Sequence, residues 1–391
     1  MKKAVKGMKT MRIGLVLDES LDPEDGVQQY VMRVGKWMSN HGHEVFYLVG
    51  ETHERNLPNL HSLSHNVKVS FNGNRLSVPL PTSRKKLRRL LRELQLDILH
   101  IQTPYSPFMA GRLMKLASPE TAVLGTFHIL PYGLLARLGS RALNLLTMRS
   151  SRCFDAVMAV SEPAAAFAKN YFGLSTTVVP NAFDYDVFYR KSSRFAQNVQ
   201  RFFKPAKIVF LGRLVERKGA MQLLEAVHYM NEKKLYTGKY EVVIGGKGPL
   251  LAELKRYAQD KKLDMVSFAG FVADADKVDF LAGADLAVFP SLSGESFGIS
   301  LLEALAAARG PVIGGDNPGY ASVMQGFNEQ LVNPKDTEKF AKLLAAHLHD
   351  PKRRSEIADA QKAYVKQFDV DIVCKDIEQV YKKTVEKRRA A

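Results

Sequence analysis

Cysteine is nearly absent from this 391-residue sequence, which contains only Cys153 and Cys374. The two cysteines lie far apart and belong to no C-x-x-C or Cys/His pattern, so neither a disulfide framework nor a zinc site is indicated. Long apolar runs are also absent, because the basic N-terminus leads only into the short stretch 13–17. These absences exclude a membrane span, and we expect no signal peptide and a reducing, cytoplasmic location.

Acidic residues are too few to balance the basic ones. There are 56 Lys and Arg against 40 Asp and Glu, and the net charge is +16. A chain this basic is expected to meet an anionic partner, which can be nucleic acid, a phosphorylated substrate or an anionic membrane surface. Nucleic acid is not expected, because the most basic stretch has no aromatic residues that could stack on bases.

Short β-rich runs alternate with longer amphipathic stretches, an order that is typical of βαβ units with a parallel sheet. The first series comprises 12–17, 44–49, 67–71, 98–102, 122–128, 156–161 and 177–180. After a basic interval that is poor in strands, the second series comprises 207–212, 240–244, 266–271, 286–290, 312–314 and 330–332. We therefore predict an α/β fold with two doubly wound, Rossmann-like parallel-sheet domains that face each other across a cleft.

The domain boundaries follow from the same alternation. We predict an N-terminal extension (1–10), a first domain (11–188), an interdomain linker (189–205), a second domain (206–368) and a C-terminal helix with a basic tail (369–391). In such folds ligands bind at the carboxyl ends of the strands, so the functional residues are expected there.

Residues 289–305, with the sequence FPSLSGESFGISLLEAL, combine a strand end, a loop with two glycines and an apolar helix. A helix that begins near Phe297 would offer free backbone N–H groups and the positive end of its dipole, which suits a phosphate. Glu295 could then accept hydrogen bonds from hydroxyl groups, and Glu303, farther along the helix, could reach a ribose. The alternative interpretation is an acidic helix cap and a solvated glutamate.

A second segment, residues 208–219, also follows a strand. Gly212 allows a tight turn there, and Arg213 and Lys218 are placed to neutralise a diphosphate leaving group. Arg217 is the cation that we least expect to point inward. The alternative interpretation of this segment is a basic surface loop.

Taken together, these residues resemble the donor-binding domain of the retaining GT-B glycosyltransferases, which use nucleotide-activated sugars. The resemblance lies in Gly-Arg followed by Lys-Gly, then in the Glu-x7-Glu spacing. It extends to the first half through the runs MRIGLVL, GVQQYV, DILHI, GTFH, VSE and VPNAFD. It covers essentially 11–365, and within the family the chain is most similar to phosphatidylinositol mannosyltransferases and related bacterial lipid glycosyltransferases.

The resemblance implies two sets of site residues. The implied catalytic residues are His128, Arg213, Lys218 and Glu295. The implied donor-binding residues are Gly26, Gly212, Arg213, Lys218, Gly246, Val272, Glu295, Phe297, Gly298, Ile299 and Glu303.

Each of these residues has an implied role. The diphosphate would be held by Arg213, Lys218 and the backbone N–H groups at 297–299, while Glu295 would hold sugar hydroxyls and Glu303 the ribose. His128 would contact the transferred sugar, and Gly26 would let the first loop approach the donor phosphate closely. The backbone around Gly246 and Val272 would select the base.

The implied reaction needs no metal, because fixed cations and a helix dipole can stabilise the negative charge that develops on the diphosphate. We therefore expect no metal and no cofactor beyond the donor, with GDP-mannose favoured over a UDP-hexose. The expected acceptor is a membrane-associated lipid or another glycan. The alternatives are a UDP-hexose-dependent transferase with a soluble acceptor and a GT-B sugar-nucleotide epimerase. Asp184-Tyr-Asp186 resembles a metal motif of a different glycosyltransferase architecture, and we expect it to be structural.

The first loop departs from the pattern of the mannosyltransferases. Glu19 stands where they carry an aromatic residue, and Asp25 replaces the first glycine of a Gly-Gly pair. Acidic side chains there would repel an inositol phosphate, so the acceptor stays open. Gln28 is the candidate acceptor-binding residue.

Residues 83–94 predict a basic amphipathic helix, with leucines at 87, 90, 91 and 94 at helical spacing. Its cations are Arg84, Lys85, Lys86, Arg88, Arg89 and Arg92. Such a helix can lie on an anionic membrane, and we expect peripheral binding at the inner face of the cell membrane. The alternative is a leucine stripe that faces the core beneath a solvated basic face.

Overall fold

The computed structural model of this chain describes residues 10–22, 25–53, 56–71, 74–131, 134–198 and 205–390. The elements up to residue 178 are β1 (Arg12–Leu17), α1 (Gly26–Asn40), β2 (Glu44–Val49), β3 (Leu60–Ser62), β4 (Asn66–Phe71), β5 (Asn74–Pro79), α2 (Arg84–Leu94), β6 (Ile98–Ile101), α3 (Met109–Leu116), β7 (Ala122–Phe127), α4 (Leu134–Ser151), β8 (Ala156–Ala159), α5 (Glu162–Phe172) and β9 (Thr177–Val178).

The later elements are α6 (Tyr185–Asn198), β10 (Ala206–Leu211), α7 (Ala220–Glu232), β11 (Tyr240–Gly245), α8 (Leu251–Asp260), β12 (Val266–Gly270), α9 (Lys277–Ala282), β13 (Leu286–Phe289), α10 (Ile299–Ala307), β14 (Val312–Gly315), α11 (Pro318–Val323), β15 (Leu331–Val332), α12 (Thr337–His349), α13 (Pro351–Val365) and α14 (Val370–Ala390). Short 3-10 helices occur at Glu216–Lys218, Asn328–Gln330 and Lys366–Phe368.

The chain divides into two compact units. The described residues up to Ala182, together with those from Val370 onward, form the first unit, and Phe183–Asp369 form the second. Helix α6 belongs to the second unit, so the predicted linker 189–205 begins inside a helix rather than in an open connection. Residues 199–204 of that linker, and residues 1–9 of the predicted N-terminal extension, lie outside the described residues.

The first unit is built on a parallel sheet. Among the described residues the sheet has seven strands, in the order β3-β2-β1-β6-β7-β8-β9. Ile13, Leu15 and Leu17 of β1 pack into a core with α1 and α14, whereas Val16 packs into a second core with α2 and α3. Because alternate side chains of a strand point to opposite faces, both faces of this sheet are covered by helices.

The second unit repeats the design. Its parallel sheet has the order β12-β11-β10-β13-β14-β15 in the described part of the chain. A core of buried residues joins β10, β11 and β13 to α7, α8 and α12. The prediction of two doubly wound parallel-sheet domains is therefore confirmed.

One predicted strand has a different role. We expected residues 67–71 to be a strand of the first parallel series, but β4 pairs antiparallel with β5 in a separate two-stranded sheet. The chain between the two strands is very short, and a short connection allows only a hairpin, because parallel strands need a long crossover. A hydrophobic run alone does not reveal this.

Helix α14 is part of the first unit. The Tyr381 hydroxyl lies 2.6 Å from Nδ1 of the buried His100, and Trp37 Nε1 donates a hydrogen bond of 2.8 Å to Asp371. Near the end of the helix, Arg388 pairs with Asp155 and Arg389 with Asp97. The C-terminal segment is thus a structural element of this unit and not a solvated tail.

The leucine stripe of α2 faces the core. Leu87, Leu91 and Leu94 are buried against residues of α3 and the sheet, while all six predicted membrane-contact cations are exposed. The apolar side of this helix is therefore not available for insertion into a bilayer, and any contact with a membrane must use the cationic side alone. We expected this amphipathic helix to lie on the membrane, and that prediction is corrected because its leucines belong to the core.

Burial of histidines generates a prediction about pH. Burial lowers the pKa of His100 to about 3, against 6.5 for an ordinary histidine. The unfolded chain therefore takes up a proton that the folded chain refuses, so the contribution of His100 to stability is complete above pH 6.5 and is lost as the pH falls toward 3. In His100→Gln, the free energy of unfolding should decline less steeply below pH 6.5, by up to about 1.4 kcal/mol per pH unit. Urea unfolding across this range measures the slope.

The control for this experiment is His53→Gln, because the His53 side chain is exposed. Equal slopes for His100→Gln and the parent protein would contradict the prediction.

Candidate active site

A buried carboxylate lies at the carboxyl edge of the second sheet. Glu295, on the loop after β13, is only 8% exposed. Its Oε1 accepts from Arg217 Nη1 at 2.7 Å and from Ser291 Oγ at 3.2 Å, and lies 2.8 Å from Lys218 Nζ. Loops after two neighbouring strands, β10 and β13, thus meet in one ionic cluster, which we call the Glu295 cluster (Glu295, Arg217, Lys218 and Ser291).

Charge and burial act against each other in this cluster. Burial alone would raise the pKa of Glu295, but Lys218 and Arg217, with a hydrogen bond from Ser291, outweigh it and hold that pKa below its ordinary value. Burial also lowers the pKa of Lys218, although the charge of Glu295 opposes the shift. The carboxylate is therefore anionic at neutral pH and is held by two cations in a place that excludes most water.

The local backbone explains why these residues meet. The 3-10 turn Glu216–Lys218 ends at Gly219, whose φ of +73° lies in the left-handed region that favours glycine. A Cβ at Gly219 would lie 1.8 Å from the Pro290 carbonyl oxygen, so the turn is pressed directly against the end of β13. The Leu292 N–H donates to the Arg217 carbonyl at 2.8 Å and joins the two loops.

The prediction for Arg217 in this segment is wrong. We expected it to be the cation least directed inward, but its side chain contacts Glu295, whereas Arg213 is exposed. The 3-10 turn reverses the direction of the chain between Arg213 and Arg217, which spacing in the sequence does not reveal. Of the predicted diphosphate residues, the structure brings Lys218 to Glu295 and leaves the Arg213 side chain at the surface.

Two residues that support the Glu295 cluster, Asn317 and Tyr320, were not predicted from the sequence. The Asn317 side chain accepts from the Tyr320 N–H at 3.1 Å as the cap of α11 and donates to the Ser291 carbonyl at 3.0 Å. The Tyr320 hydroxyl lies 3.2 Å from Ser291 Oγ. The Asn-Pro pair that follows β14 is a helix-start signal at a strand end, and it could have indicated these residues.

The N-terminus of α10 also lies at this edge. The helix begins at Ile299, after Gly298 with a φ of +108°, and not at Phe297 as we expected. The Phe297 side chain is buried and packs edge-on against Phe368, with ring centroids 5.7 Å apart. Phe297 can therefore offer only backbone groups to a ligand, while the first N–H groups of α10 lack partners within the helix.

Glu303 is the second acidic residue of the Glu-x7-Glu pair. It lies on α10 and is 2% exposed. Its Oε2 is 3.7 Å from Lys277 Nζ, and the same ammonium is 2.5 Å from Asp274 Oδ1. A carboxylate, an ammonium and a second carboxylate thus form a short chain of alternating charge that sequence spacing did not indicate.

Glycines make the strand ends fit together. Gly246 has a φ of +144°, and a Cβ on it would lie 1.8 Å from the Gly212 carbonyl oxygen. The Gly246 N–H donates to the Gly270 carbonyl at 2.6 Å, which brings the end of β11 to the end of β12, next to Val272. The predicted residues Gly212, Gly246 and Val272 therefore occupy neighbouring strand ends.

The remaining predicted residues belong to the first unit. His128 follows β7, and its Nε2 lies 2.8 Å from Gln102 Oε1. Its ring packs edge-on against Tyr30, with centroids 4.7 Å apart. Burial lowers the pKa of His128 to about 3, so the imidazole is neutral at physiological pH.

Gln28 lies in the first turn of α1 and is 2% exposed. Its Nε2 donates to Glu19 Oε2 and to the Ser20 carbonyl, both at 3.1 Å, while its buried Oε1 has no partner among the described residues. Burial raises the pKa of Glu19 above its ordinary value. Gly26 is the first residue of the same helix and is exposed. The first loop therefore uses Glu19 to orient Gln28.

The described residues contain no group of three or more His, Cys, Asp or Glu that could hold a metal ion. Asp186 instead forms an ion pair of 2.5 Å with Arg190. Likewise, no helix in the described part of the chain is long and apolar enough to span a bilayer.

Comparison with known families matches both halves of the chain. Residues 25–187 match the model described as Glycosyltransferase Family 4, and residues 192–364 match Glycosyl transferases group 1. Among curated proteins, the phosphatidyl-myo-inositol mannosyltransferase of Mycobacterium leprae is 28% identical over 379 residues, which are 95% of this chain and 96% of that protein. The D-rhamnosyltransferase WbpZ of Pseudomonas aeruginosa is 30% identical over 216 residues, 52% of this chain and 54% of that protein.

Solved structures share the fold. HepE from Anabaena, in complex with UDP and glucose, matches with a TM-score of 0.72 and 17% identity over 95% of this chain and 100% of that chain. A glycosyltransferase from Rickettsia africae ESF-5 matches with a TM-score of 0.69 and 16% identity over 96% of this chain and 99% of that chain. The two-sheet architecture is thus the GT-B fold.

The backbone at Gly298 generates a prediction about stability. In Gly298→Ala the new Cβ would lie 2.5 Å from Cε1 of Tyr320, at a φ that alanine disfavours. We expect the free energy of unfolding to fall by about 2 kcal/mol or more. Gly326→Ala separates the two causes, because its φ is +86° but nothing lies within 4 Å. The prediction fails if chemical unfolding gives both variants the same loss.

Proposed function

Because this chain belongs to the glycosyltransferases, with a family 4 half and a group 1 half, we propose that it transfers a hexose from a nucleoside diphosphate sugar to a membrane-associated lipid or other glycan acceptor. Mannose is the favoured hexose and GDP-mannose the favoured donor. Support comes from the relatives named phosphatidyl-myo-inositol mannosyltransferase, which align with 95% of the chain. The proposal includes retention of anomeric configuration and independence from metal.

The observation that carries the proposal is the Glu295 cluster beside the N-terminus of α10. A diphosphate is a dense anion, and it is stabilised by cations and by free N–H groups at a helix N-terminus. Lys218, Arg217 and the first turn of α10 supply both kinds of group at one sheet edge, with Arg213 exposed nearby on the loop after β10. The same edge carries a carboxylate that can accept from sugar hydroxyls.

Binding of the donor would exchange partners within the cluster. In the structure, Glu295 contacts both Arg217 and Lys218. When the diphosphate enters, it would compete for these cations and leave Glu295 to accept hydrogen bonds from the sugar. This exchange avoids an uncompensated buried charge in either state, which would be costly. The carboxylate and the cations thus stabilise one another before the donor arrives.

The reaction then breaks the bond between the anomeric carbon and the diphosphate oxygen. The bonding electron pair leaves with the diphosphate, where Lys218, the arginines and the dipole of α10 stabilise the developing charge. The acceptor hydroxyl oxygen forms the new bond on the same face of the sugar, and its proton passes to the leaving phosphate oxygen. No group of the protein needs to bond to the sugar in this scheme.

Nucleoside binding is assigned to Glu303 and its neighbours. A buried carboxylate is suited to accept hydrogen bonds from two ribose hydroxyls. Lys277 and Asp274, which lie next to it in the chain of alternating charge, offer a donor and an acceptor to a base edge. Guanine and uracil both present donors and acceptors along one edge, so the preference for GDP rests on the mannosyltransferase relatives.

The acceptor side is assigned to the first unit. Gln28 keeps a buried Oε1 without a partner among the described residues, and an acceptor hydroxyl could satisfy it. Leaving such an atom unsatisfied costs about 1–3 kcal/mol, so binding of a hydroxyl there is favourable. His128 is neutral, and it can hydrogen-bond the transferred sugar without adding a positive charge. The exposed cations of α2 would contact an anionic membrane surface at the inner face of the cell membrane.

Donor binding provides the first test. In calorimetry, GDP should bind more tightly than UDP. A metal chelator should leave the affinity for GDP unchanged. Arg213→Ala should weaken GDP binding by about tenfold, because it removes one charge-assisted contact to the diphosphate. Its side chain is exposed, so the variant should fold normally.

The matched control is Arg353→Ala, which removes an exposed arginine of the second unit that pairs with Glu329. It should bind GDP as the parent protein does. Tighter binding of UDP would transfer the proposal to a UDP-hexose donor, and binding of neither nucleotide would refute it.

Acceptor binding provides the second test. With GDP-mannose and a phosphatidylinositol-containing vesicle, the product should keep the anomeric configuration of the donor when examined by NMR. Gln28→Glu should lower kcat/KM for the acceptor by about tenfold or more, because it places a second carboxylate beside Glu19, while the affinity for GDP stays unchanged. A product with inverted configuration would contradict retention, and an equal loss of GDP affinity would contradict the acceptor role of Gln28.

A further inference from the structure

Helix α4 (Leu134–Ser151) has an unusual burial pattern over residues 139–151, the part whose side chains the structure describes. Leu145 is 72% exposed, Leu146 is 65% exposed and Met148 is 44% exposed. By contrast, the small polar residues Ser140, Thr147 and Ser150 are buried. One exposed leucine on a protein surface is ordinary. A helical segment that buries hydroxyl residues and exposes two leucines and a methionine reverses the usual pattern of a surface helix.

Two of the buried hydroxyls, those of Thr147 and Ser150, are satisfied within the helix. Thr147 Oγ1 donates to the Leu143 carbonyl at 2.7 Å, and Ser150 Oγ donates to the Thr147 carbonyl at 2.9 Å. They therefore need no partner from elsewhere in the unit, and the helix can turn its polar side inward at little cost. These hydrogen bonds explain how α4 can bury hydroxyl groups. They do not explain why Leu145 and Leu146 are exposed.

Cations flank the exposed leucines. Arg141 and Arg149 lie one turn before and one turn after Leu145, on the same side of the helix, and both are exposed. The 18 residues of α4 include no Asp or Glu. We call Arg141, Leu145, Leu146, Met148 and Arg149 the α4 stripe.

The neighbouring helices extend the positive charge. Helix α3 contacts both α4 and α2. Helix α2 contributes its six exposed cations and α3 contributes the exposed Lys115. The acidic residue of α2, Glu93, is paired with Arg89 at 2.7 Å. Three helices that contact one another in series thus carry exposed cations, and α4 adds an apolar stripe.

We propose that the α4 stripe inserts into the surface of an anionic lipid bilayer, with the leucines at the depth of the headgroups and the cations of α2, α3 and α4 against the anionic lipids. This deepens the proposed membrane contact, which assigned only charge to α2. Because the leucines of α2 are buried, α4 supplies the apolar part of the contact. A bilayer needs only a few inserted side chains with cations around them.

A bilayer fits this surface better than a protein partner. A stable protein interface buries about 800 Å² on each side, with few charges at its centre. Two leucines and a methionine surrounded by arginines and lysines make a smaller apolar area with a strong positive field. This combination of charge and apolar size matches an anionic membrane.

The test is co-sedimentation of the full chain with vesicles of phosphatidylcholine alone, or mixed with an equal part of phosphatidylglycerol. The parent protein should bind the mixed vesicles and bind the neutral vesicles weakly. Leu145→Glu/Leu146→Glu should lower partitioning into mixed vesicles by about tenfold or more, because two insertions are lost and two negative charges are added. Arg141→Ala/Arg149→Ala should reduce mainly the preference for anionic lipid.

The matched control is Ile372→Glu, which alters an apolar residue of α14 that is 44% exposed. Helix α14 packs on the opposite face of the sheet from α2 and α3, so this variant should bind vesicles normally. Vesicle binding that is unchanged in Leu145→Glu/Leu146→Glu would overturn the proposal. So would a change in molar mass by light scattering without a change in vesicle binding, which would assign the stripe to contact between copies of the chain.

Affinity for GDP, measured without vesicles, separates this inference from the proposed function. The α4 variants should bind GDP as the parent protein does. Loss of vesicle binding with normal GDP binding supports the α4 stripe. Normal vesicle binding in the α4 variants refutes the stripe and leaves the donor assignment standing.

Discussion

The buried carboxylate of Glu295 is the constraint on which the site of the second unit depends. An anion in this place would be very costly without partners, and Lys218 and Arg217 supply them from a different loop. Meeting that requirement fixes the 3-10 turn after β10 against the end of β13. Contacts within the chain therefore hold the loop that carries Lys218 and Arg217 in place, and cations held in place can stabilise a developing anion.

The first unit depends on a helix from the end of the chain. Its sheet is covered by helices on both faces, and α14 is drawn from the far end of the chain to complete one of them. Burial of Tyr381 and His100 against each other, and the ion pairs of Arg388 and Arg389, hold that helix in place. The two polypeptide crossings at Ala182 and Asp369 thus make the first unit depend on residues that follow the second. The two units cannot be separated by a single cut in the sequence.

The ionisable groups of the first unit include buried histidines that are neutral and exposed cations that are charged. Buried groups such as His100 and His128 are neutral because burial makes a charge unfavourable. The cations of α2 are exposed and cost nothing to keep charged, while the leucines on the other side of that helix build the core. In the described part of α4 the arrangement is reversed, since Leu145 and Leu146 are exposed while Thr147 and Ser150 are buried. The same composition of leucine and arginine therefore forms a core helix in one case and an exposed apolar stripe in the other.

The sequence by itself determined the two parallel-sheet units, and its motifs carried the resemblance to the GT-B glycosyltransferases. It could do so because the periods of strands and helices and the Gly-Arg, Lys-Gly and Glu-x7-Glu spacings are local features of the chain. Only the tertiary structure decided that Arg217 contacts Glu295, that residues 67–71 form one strand of a hairpin, and that α2 buries Leu87, Leu91 and Leu94 while Leu145 and Leu146 of α4 are exposed. Each of these depends on which surface a side chain meets after the chain has turned, and on the free energy of burying it there. That information lies in contacts between distant segments, which neither composition nor spacing contains.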